Sequence, residues 1–336
     1  MGAGRNVWAI VLAAGDGTRL HELTGDGTGA AVPKQFCSFG AGPSLLGLAL
    51  ERARAVADRD RIVVVVAEAH RRWWEPEVVG LPPHNVLVQP CNRGTACGLL
   101  LPLAHVRLRD RDALVAVLPS DHYVADEKTF LTALRDARRV VGERPDQLLL
   151  LGINPDRPDT GYGWIRPVGA TGGPPSRVLS FVEKPDEKLA GLLMETGALW
   201  NTFTFVVAAH TLWALFQRRL PWLVERFALA FAISQGSWWE APLGEVYEAL
   251  PSLDFARTIL ERAEDELRVV PVPPCGWTDL GTPQRVADCV HRLAGECPLT
   301  ERGEDHRVSR PPIDLAQAIQ ARDEMRLPSH PASSTH

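Results

Sequence analysis

Hydrophobic residues in the first half of the chain form short continuous runs, and amphipathic stretches separate them. The runs cover 7–14, 61–68, 85–90, 113–119 and 148–154. Strands that lack polar alternation are covered on both faces of a sheet, and the stretches between them show helical spacing of leucines. Strands that alternate with helices are typical of a mostly parallel, doubly wound sheet. The pattern therefore predicts an α/β fold of this kind, with helices over 44–57, 96–108 and 127–141.

The hydrophobic pattern changes in the second half. Strand-like segments there carry polar and aromatic residues, as in TGYGWIRPVG, RVLSFVEKP and ALWNTFTFVVAAH, and helices rich in Leu, Trp and Phe are predicted over 211–231 and 243–263. A strand, LRVVPV, and a helix over 283–293 follow. From about Thr300 the chain becomes charged and proline-rich. We therefore expect one catalytic domain over residues 1–297 and a partly disordered tail over 298–336, with a short helix over 314–325.

Composition narrows the class of protein. The chain has 336 residues, 45% of them hydrophobic and 23% charged, which is ordinary for a globular protein with a sizeable core. Its net charge of −5 gives no sign of a nucleic-acid surface, and it contains no apolar run long enough to span a bilayer. Its six cysteines are scattered, without a C-x-x-C pair, which favours reduced thiols. These features indicate a cytoplasmic enzyme that binds neither nucleic acid nor membrane.

The first strand ends in a glycine-rich loop, AAGDGTRL, that contains Gly15, Gly17 and Arg19. Glycines let backbone N–H groups approach an anion, and a guanidinium suits phosphate oxygens. The loop matches neither the Walker pattern nor the dinucleotide fingerprint, so on its own it predicts a phosphate site or an ordinary tight turn. Ligands of parallel sheets bind at the carboxyl ends of the strands. The ends at 89–95 and 119–122 meet this loop at one edge, which favours the phosphate site.

Two aspartates and one charge pair are candidates for chemistry. Asp121 and Asp279 each follow a strand, where a carboxylate either binds Mg²⁺ or caps a turn or helix. Glu183 and Lys184 are adjacent, so within a strand they would point to opposite faces. They would either bind hydroxyls and phosphate or form a solvated pair at the strand's end. The residues alone leave both alternatives open.

Eight motifs occur in the order seen in sugar-phosphate nucleotidyltransferases: LAAGDGTRL, PKQF, QPCNRGTA, VLPSDH, TGYGWI, FVEKPD, LWNTFTF and GWTDLGTP. The resemblance covers roughly residues 7–293, and PKQF, R-G-T, PSDH and WN-x-F make the chain most similar to the mannose-1-phosphate guanylyltransferases. The chain departs from that family in having HELTGDGTGAA where W-P-L-S-R is common, and Gly94 where Asn follows the arginine. Long bacterial members carry a C-terminal isomerase domain of cupin type, and we expect none in this chain.

The resemblance implies a Rossmann-like nucleotidyltransferase fold in which a smaller mixed sheet forms the sugar pocket. It implies transfer of GMP from GTP to α-D-mannose 1-phosphate, giving GDP-mannose and pyrophosphate, by in-line attack without a covalent intermediate. The catalytic residues it implies are Arg19, Lys34, Asp121, Lys184 and Asp279, and Asp121 and Asp279 would hold Mg²⁺. Its nucleotide-binding residues are Leu12, Ala13, Ala14, Gly15, Gly17, Thr18, Gln89, Pro90, Arg93, Gly94, Thr95 and Ser120. Its sugar-phosphate-binding residues are Gly163, Glu183, Lys184 and Asn201.

Other functions stay open at this point. A related transferase could use another nucleoside triphosphate or hexose phosphate with the same catalytic residues. A paralogue could sense nucleotide sugars without turnover, although such a protein has no need of both aspartates. A nicotinamide-dependent dehydrogenase is excluded by the missing third glycine of the fingerprint. A homodimer is the assembly that we consider.

Overall fold

A computed structural model of the chain describes residues 5–17, 20, 23–24, 31–38, 42–169, 175–233 and 243–296, the last segment with side chains as far as Cys289. Thr18 and Arg19 lie outside the described residues, as does the predicted tail over 298–336 with its helix. The strands are β1 (Val7–Ala13), β2 (Ile62–Ala67), β3 (Val86–Gln89), β4 (Leu114–Pro119), β5 (Leu148–Ile153), β6 (Gly163–Pro167), β7 (Ser176–Glu183), β8 (Leu199–Ala208) and β9 (Leu267–Val272). The helices are α1 (Leu45–Arg54), α2 (Arg71–Val78), α3 (Gly94–Arg109), α4 (Glu127–Glu143), α5 (Glu187–Glu195), α6 (Ala209–Arg219), α7 (Pro221–Ile233), α8 (Leu243–Glu248), α9 (Phe255–Thr258) and α10 (Pro283–Glu296).

The strands form one sheet in the order β3-β2-β1-β4-β8-β5-β9-β7-β6. β1 pairs in parallel with β2 and β4, and β2 pairs in parallel with β3. Helices cover both faces, since Ala9 and Val11 pack into one hydrophobic cluster while Trp8 and Ile10 pack into another. Every residue of β2 and β4 is buried. The predicted α/β fold with a mostly parallel, doubly wound first half is confirmed.

The mixed strands of the second half are continuous with the main sheet. β8 is antiparallel to β4 and β5, and its first residues pair with β6. β5, β9, β7 and β6 follow one another through hydrogen-bonded pairs, so their pairings with β8 close a cycle of five strands. The mixed strands that the resemblance implied are therefore present, as part of the same nine-stranded sheet. They share β8 with the parallel region.

Helix boundaries differ from the prediction where the chain changes direction. The predicted helix over 211–231 is two helices, α6 and α7, and α7 begins at Pro221, a residue that suits a first helical position. The predicted helix over 243–263 is α8 and the single turn α9, whose first N–H groups are capped by Asp254. No helix in the described part of the chain is long and apolar enough to cross a membrane.

Candidate active site

A cavity of about 460 Å³ opens at the carboxyl ends of β1, β3 and β4 and extends to the strand cycle. Its walls include most of the residues singled out from the sequence. From the nucleotide and catalytic sets these are Leu12, Ala14, Gly15, Gly17, Lys34, Gln89, Gly94, Thr95, Ser120, Asp121 and Asp279. From the sugar-phosphate set they are Gly163, Glu183, Lys184 and Asn201. One cavity therefore holds both predicted halves of the site.

Three predicted nucleotide-binding residues do not line this cavity. Ala13 is buried in the core and Pro90 is exposed. The Arg93 guanidinium donates hydrogen bonds to the carbonyls of Tyr247, at 2.6 Å, and Glu248, at 3.2 Å, so it fastens α8 to the loop before α3. Arg93 therefore links two structural elements and does not line the cavity. Its position after a strand did not indicate this role.

The side chain of Gln35 holds the first glycine loop through two hydrogen bonds. Its side-chain amide donates to the carbonyl of Gly15 at 2.8 Å and to that of Ala13 at 3.3 Å. Gly17 has a φ of +64°, and a Cβ there would lie 2.9 Å from the backbone nitrogen of Lys34. By contrast, no atom lies within 4 Å of a Cβ placed on Gly15. The loop thus has a fixed path and an open side at Gly15, which suits a ligand that approaches the backbone.

The loop before α3 is tied to its surroundings in the same way. Asn92 donates to the Asp16 carboxylate at 2.9 Å and accepts from the Gly94 N–H at 2.8 Å. Gly94 has a φ of +80°, and a Cβ there would clash with the carbonyl oxygen of Leu253. Thr95 accepts a hydrogen bond from the N–H of Phe255, the first residue of α9. Side chains and glycines therefore join this loop both to the first loop and to the segment before α9.

Lys34 lies where the two aspartate loops meet. Its ammonium is 3.0 Å from the Asp121 carboxylate and donates to the carbonyl of Asp279. Burial opposes ionisation of Asp121, but the charge and hydrogen bond of the Lys34 ammonium outweigh it and lower the pKa of this carboxyl. The helix-cap alternative does not apply to Asp121, because Asp126 caps α4. Lys34 therefore serves as the partner of a carboxylate and as a bridge to the Asp279 loop.

The Asp279 carboxylate is held through one of its two oxygens. Oδ1 accepts from Arg285 at 2.7 Å, from the Tyr162 hydroxyl at 3.1 Å and from the N–H of Gly281 at 2.9 Å. The bond to Gly281 closes a local turn, so the turn alternative describes part of what Asp279 does. Among the described residues, no hydrogen bond reaches Oδ2, and the side chain remains 18% exposed at the cavity.

The two aspartates fit a Mg²⁺ ion that also binds phosphate. Within the described residues, no group of three or more His, Cys, Asp and Glu side chains could hold a metal. Proteins usually bind Mg²⁺ through one or two carboxylates, and water and substrate phosphates fill the remaining positions. Asp121, whose pKa is lowered, and the Oδ2 atom of Asp279 supply carboxylate oxygens of this type at the cavity wall. The donor set is therefore of the right chemistry.

Lys184 and Glu183 lie on the same side of the strand's end. β7 ends at Glu183, and Lys184 has a φ of +52°, a left-handed conformation that turns its side chain back. Its ammonium lies 3.2 Å from Glu183, and both residues line the cavity. The expectation of opposite faces is therefore wrong, because it assumed that the strand continues through Lys184. Burial raises the pKa of Glu183, and the nearby Lys184 ammonium only partly offsets this.

Asn201 and Phe203 reach the cavity through an irregularity in β8. Asn201 accepts from the N–H of Phe203 at 3.1 Å, and Phe203 has a φ of +55°. The register of β8 against β5 shifts at this point, and Thr202 donates to the Leu151 carbonyl. A Cβ on Gly163 would lie 2.5 Å from the Glu183 carboxylate, so a larger residue there would displace this side chain from its place in the cavity.

Several cavity or supporting residues have no individual role predicted from the sequence, although Asn92 and His122 lie in the strand ends 89–95 and 119–122 that were expected at the site. These residues are Gln35, Asn92, His122, Asp159, Tyr162, Phe203, Tyr247, Trp277 and Arg285. Gln35 and Tyr162 stood in motifs that were noted, PKQF and TGYG, but no role was assigned to them. Burial lowers the pKa of His122 against the pull of Asp121, which favours a neutral ring. Arg285 carried no signal, since an arginine in the first turn of a helix is ordinarily a surface residue.

Comparison with known proteins identifies a matching sequence family and several relatives. The sequence profile of the nucleotidyl transferase family matches residues 8–294. The xanthan biosynthesis protein XanB of Xanthomonas campestris pv. campestris (strain B100) is 30% identical over 284 residues, 82% of this chain and 58% of XanB. The mannose-1-phosphate guanylyltransferase of Escherichia coli (strain K12) is 29% identical over 288 residues, again 82% of this chain and 58% of the relative. The chain thus spans somewhat more than half the length of these curated relatives.

Solved structures share the fold. A mannose-1-phosphate geranyltransferase from Thermus thermophilus superposes with a TM-score of 0.72 and 31% identity, covering 85% of this chain and 79% of its own. A UDP-glucose pyrophosphorylase bound to UDP-glucose matches with a TM-score of 0.54 at 13% identity, a likeness of fold alone.

Proposed function

This chain belongs to the nucleotidyl transferase family, and from that membership and the cavity we propose that it transfers GMP from GTP to α-D-mannose 1-phosphate, releasing pyrophosphate and GDP-mannose. The observation that carries the proposal is the content of the single cavity described above. It combines an open glycine loop, the Asp121 carboxylate paired with Lys34, the Asp279 carboxylate on a loop whose backbone carbonyl Lys34 also binds, and a lysine–glutamate pair. Relatives that cover most of this chain are named for mannose 1-phosphate.

The reaction needs positioning and charge neutralisation more than acid–base chemistry. The sugar phosphate is already ionised at pH 7, so its oxygen can attack the α-phosphorus without a general base. Two anions must then be held in line at short distance, a geometry that supplies a large part of rate enhancement in such reactions. The glycine loop with its open backbone at Gly15 would receive the triphosphate, and Lys34 would neutralise charge beside it.

The opposite wall would hold the sugar phosphate. The Lys184 ammonium, kept at the rim by its left-handed backbone, would bind the phosphate, and Glu183 and Asn201 would accept hydrogen bonds from sugar hydroxyls. Asp121 and Asp279 would hold Mg²⁺, which contributes positive charge against the phosphate oxygens. Arg19 would contact the triphosphate from the first loop.

The test is pyrophosphate release with four nucleoside triphosphates against a panel of hexose 1-phosphates. We expect GTP with mannose 1-phosphate to give the highest kcat/KM. A site that hydrogen-bonds guanine leaves polar groups unpaired with adenine, and discrimination on the order of 10⁴-fold follows from such mismatches. Equal turnover of ATP and GTP would remove the guanylyl assignment and leave a related nucleotidyltransferase. Binding of a nucleotide sugar without turnover of any pair would instead identify a sensing paralogue.

A further inference from the structure

Arg285 is a buried cation that the reaction described above does not use. It lies in the first turn of α10 and is only 4% exposed. Its guanidinium sits between two loops from distant parts of the chain, one before β6 and one before α10. A charge that is removed from water in this way is costly unless partners compensate it. The partners of Arg285 therefore show what it is for.

The guanidinium contacts one carboxylate in each loop. Nη1 donates to Asp279 at 2.7 Å, while Nε donates to Asp159 at 3.3 Å and Nη2 forms a close ion pair with the same side chain. The guanidinium carbon lies 3.9 Å from the centre of the Tyr162 ring, and the hydroxyl of that tyrosine donates to Asp279. All three guanidinium nitrogens thus donate to an aspartate, and the flat face of the group lies over the Tyr162 ring.

The two loops are built alike around this group. In each, the aspartate accepts a hydrogen bond from the glycine two residues later, Gly161 for Asp159 at 2.8 Å and Gly281 for Asp279 at 2.9 Å. A Cβ on either glycine would lie within 3 Å of an Arg285 nitrogen. The backbone of both loops therefore leaves space that a planar guanidinium fills.

Asp159 has a second guanidinium partner, since Arg157 also donates to it at 3.2 Å, whereas among the described residues Arg285 is the guanidinium that binds Asp279. All the described hydrogen bonds to the Asp279 carboxylate fall on Oδ1, and Asp279 lines the cavity while Asp159 does not. We propose that Arg285 is a positioning residue. It holds Oδ1 of Asp279 away from the cavity, presents Oδ2 as the single oxygen for a divalent cation, and fixes this carboxylate relative to the Tyr162–Gly163 wall of the sugar pocket. The inference rests on the proposed function for the role of the cation.

A positioning role has a signature that a purely structural ion pair lacks. Arg285 carries a positive charge 2.7 Å from a metal-binding carboxylate, so it weakens cation binding while it fixes geometry. Removing it should strengthen cation binding and slow the reaction. A structural ion pair that merely stabilises the fold would weaken both together.

The experiment compares the double variant Arg285→Gln with Asp159→Asn, the single variant Arg285→Lys, and the wild type. The double variant removes a cation and an anion together, so the net charge of the protein is unchanged and Asp159 is not left facing a missing cation. The control is Arg107→Gln, since Arg107 stacks on Trp213 and lies outside the cavity wall. Mn²⁺ affinity is measured by electron paramagnetic resonance on nucleotide-free protein, turnover is measured at saturating Mg²⁺, and melting temperature reports folding.

We expect the double variant to bind Mn²⁺ on the order of fivefold more tightly, because the cation that it removes contacts Asp279 directly, whereas the anion that it removes does not line the cavity. Its turnover should fall about 10²-fold, as for a misplaced reacting group. Arg285→Lys should lie between it and the wild type in both measurements, and Arg107→Gln should match the wild type. Any other pattern in folded protein overturns the proposal, including equal losses of affinity and turnover, unchanged turnover, or a wild type that binds no Mn²⁺. Failure of the proposed function is separate, because it would appear as absent turnover in the wild type with Mn²⁺ binding intact.

Discussion

The strands β1 to β4 and the cycle β5 to β9 solve the same problem, presenting polar groups to one cavity, by different means. In β1 to β4 the pairings within the region are parallel, and the left-handed positions beside the cavity are glycines, Gly17 and Gly94. In the cycle two register shifts occur, and non-glycine residues adopt positive φ at Lys184 and Phe203. A third such residue, Leu280, lies in the loop before α10, which closes the cavity beside the cycle.

The difference shows which atoms each region offers to a ligand. The first region holds its loops through the side chains of Gln35, Asn92 and Thr95 and leaves open space beside the Gly15 backbone at the cavity. The second region uses strained backbone and buried ion pairs to aim particular side chains, namely Glu183, Lys184, Asn201 and Asp279. Backbone groups tolerate many ligands of similar charge, whereas aimed side chains select among them. The predictions below test that division, from the largest expected effect to the smallest.

The largest effect should come from the two aspartates, one in each region. Asp121→Asn or Asp279→Asn keeps the side chain's volume but removes a charge, and turnover should fall by roughly 10² to 10³. Because both carboxylates would hold the same Mg²⁺ ion, the double variant should be scarcely slower than the slower single variant. Turnover of all three is measured across a Mg²⁺ titration, with melting temperature beside it.

The matched control for the aspartates is Asp126→Ala, which removes the exposed N-cap of α4. It should cost about 1 kcal/mol of stability and leave turnover unchanged. Near-normal turnover in Asp279→Asn would contradict the two-carboxylate site, and so would losses that simply add in the double variant.

Lys184 tests whether the second region selects the sugar phosphate. Lys184→Ala should raise KM for the hexose phosphate by about 10- to 100-fold, the range for a lost charge-assisted hydrogen bond, and change KM for GTP little. Lys184→Gly should show the same kinetics but be more stable than the Ala variant by about 1 kcal/mol, since glycine adopts positive φ freely. An unchanged sugar-phosphate KM in either folded variant would remove the assignment.

Two glycines test whether the first region works through its backbone. Gly94→Ala forces a Cβ against the Leu253 carbonyl, so it should lower stability by more than about 1 kcal/mol and detach the loop. Gly15→Ala meets open space and should leave the melting temperature unchanged while it raises KM for GTP. A normal KM for GTP in Gly15→Ala would show that the triphosphate does not approach that backbone.

Glu183 gives the smallest effect, and its sign depends on pH. Burial raises the pKa of this carboxyl, so the folded protein holds the proton more tightly than the unfolded chain does. The resulting stabilisation is complete below the unfolded-state pKa of about 4.3 and is lost as pH rises through the raised value. Glu183→Gln should remove that decline and be the more stable protein at neutral pH, although it binds sugar phosphate less well. Curves of unfolding free energy against pH that run parallel for the variant and the wild type would refute this prediction.

The contrast between the β1 to β4 region and the β5 to β9 cycle also explains which features could be predicted from the sequence. The strands β1 to β5 follow from continuous hydrophobic runs, and their carboxyl ends converge by the topology of parallel sheets, so Gly15, Gln89 and Asp121 could be placed at one cavity in advance. The turn at Lys184 could not, because a lysine gives no sign of a left-handed conformation that tertiary contacts impose. Arg93 was assigned to the cavity from its position after a strand, but α8, distant in sequence, supplies the carbonyls that hold it. Arg285 depends on two loops that lie far apart in the chain, a pairing that no local pattern encodes.

The irregular segment of β8 has a mechanical consequence. Its last residues pair with β4, and Leu199 and Trp200 pair with β6, so this one strand is hydrogen-bonded to both regions. Between these ends, the pairing with β5 is interrupted around Phe203, and side-chain oxygens of Asn201 and Thr202 take over its backbone contacts. Bending of the sheet that changes the width of the cavity would concentrate at this interruption, because the hydrogen-bonded ladders on either side resist it. β8 therefore joins the two regions through its two ends, and the interruption between them carries Asn201 and Phe203, which line the cavity.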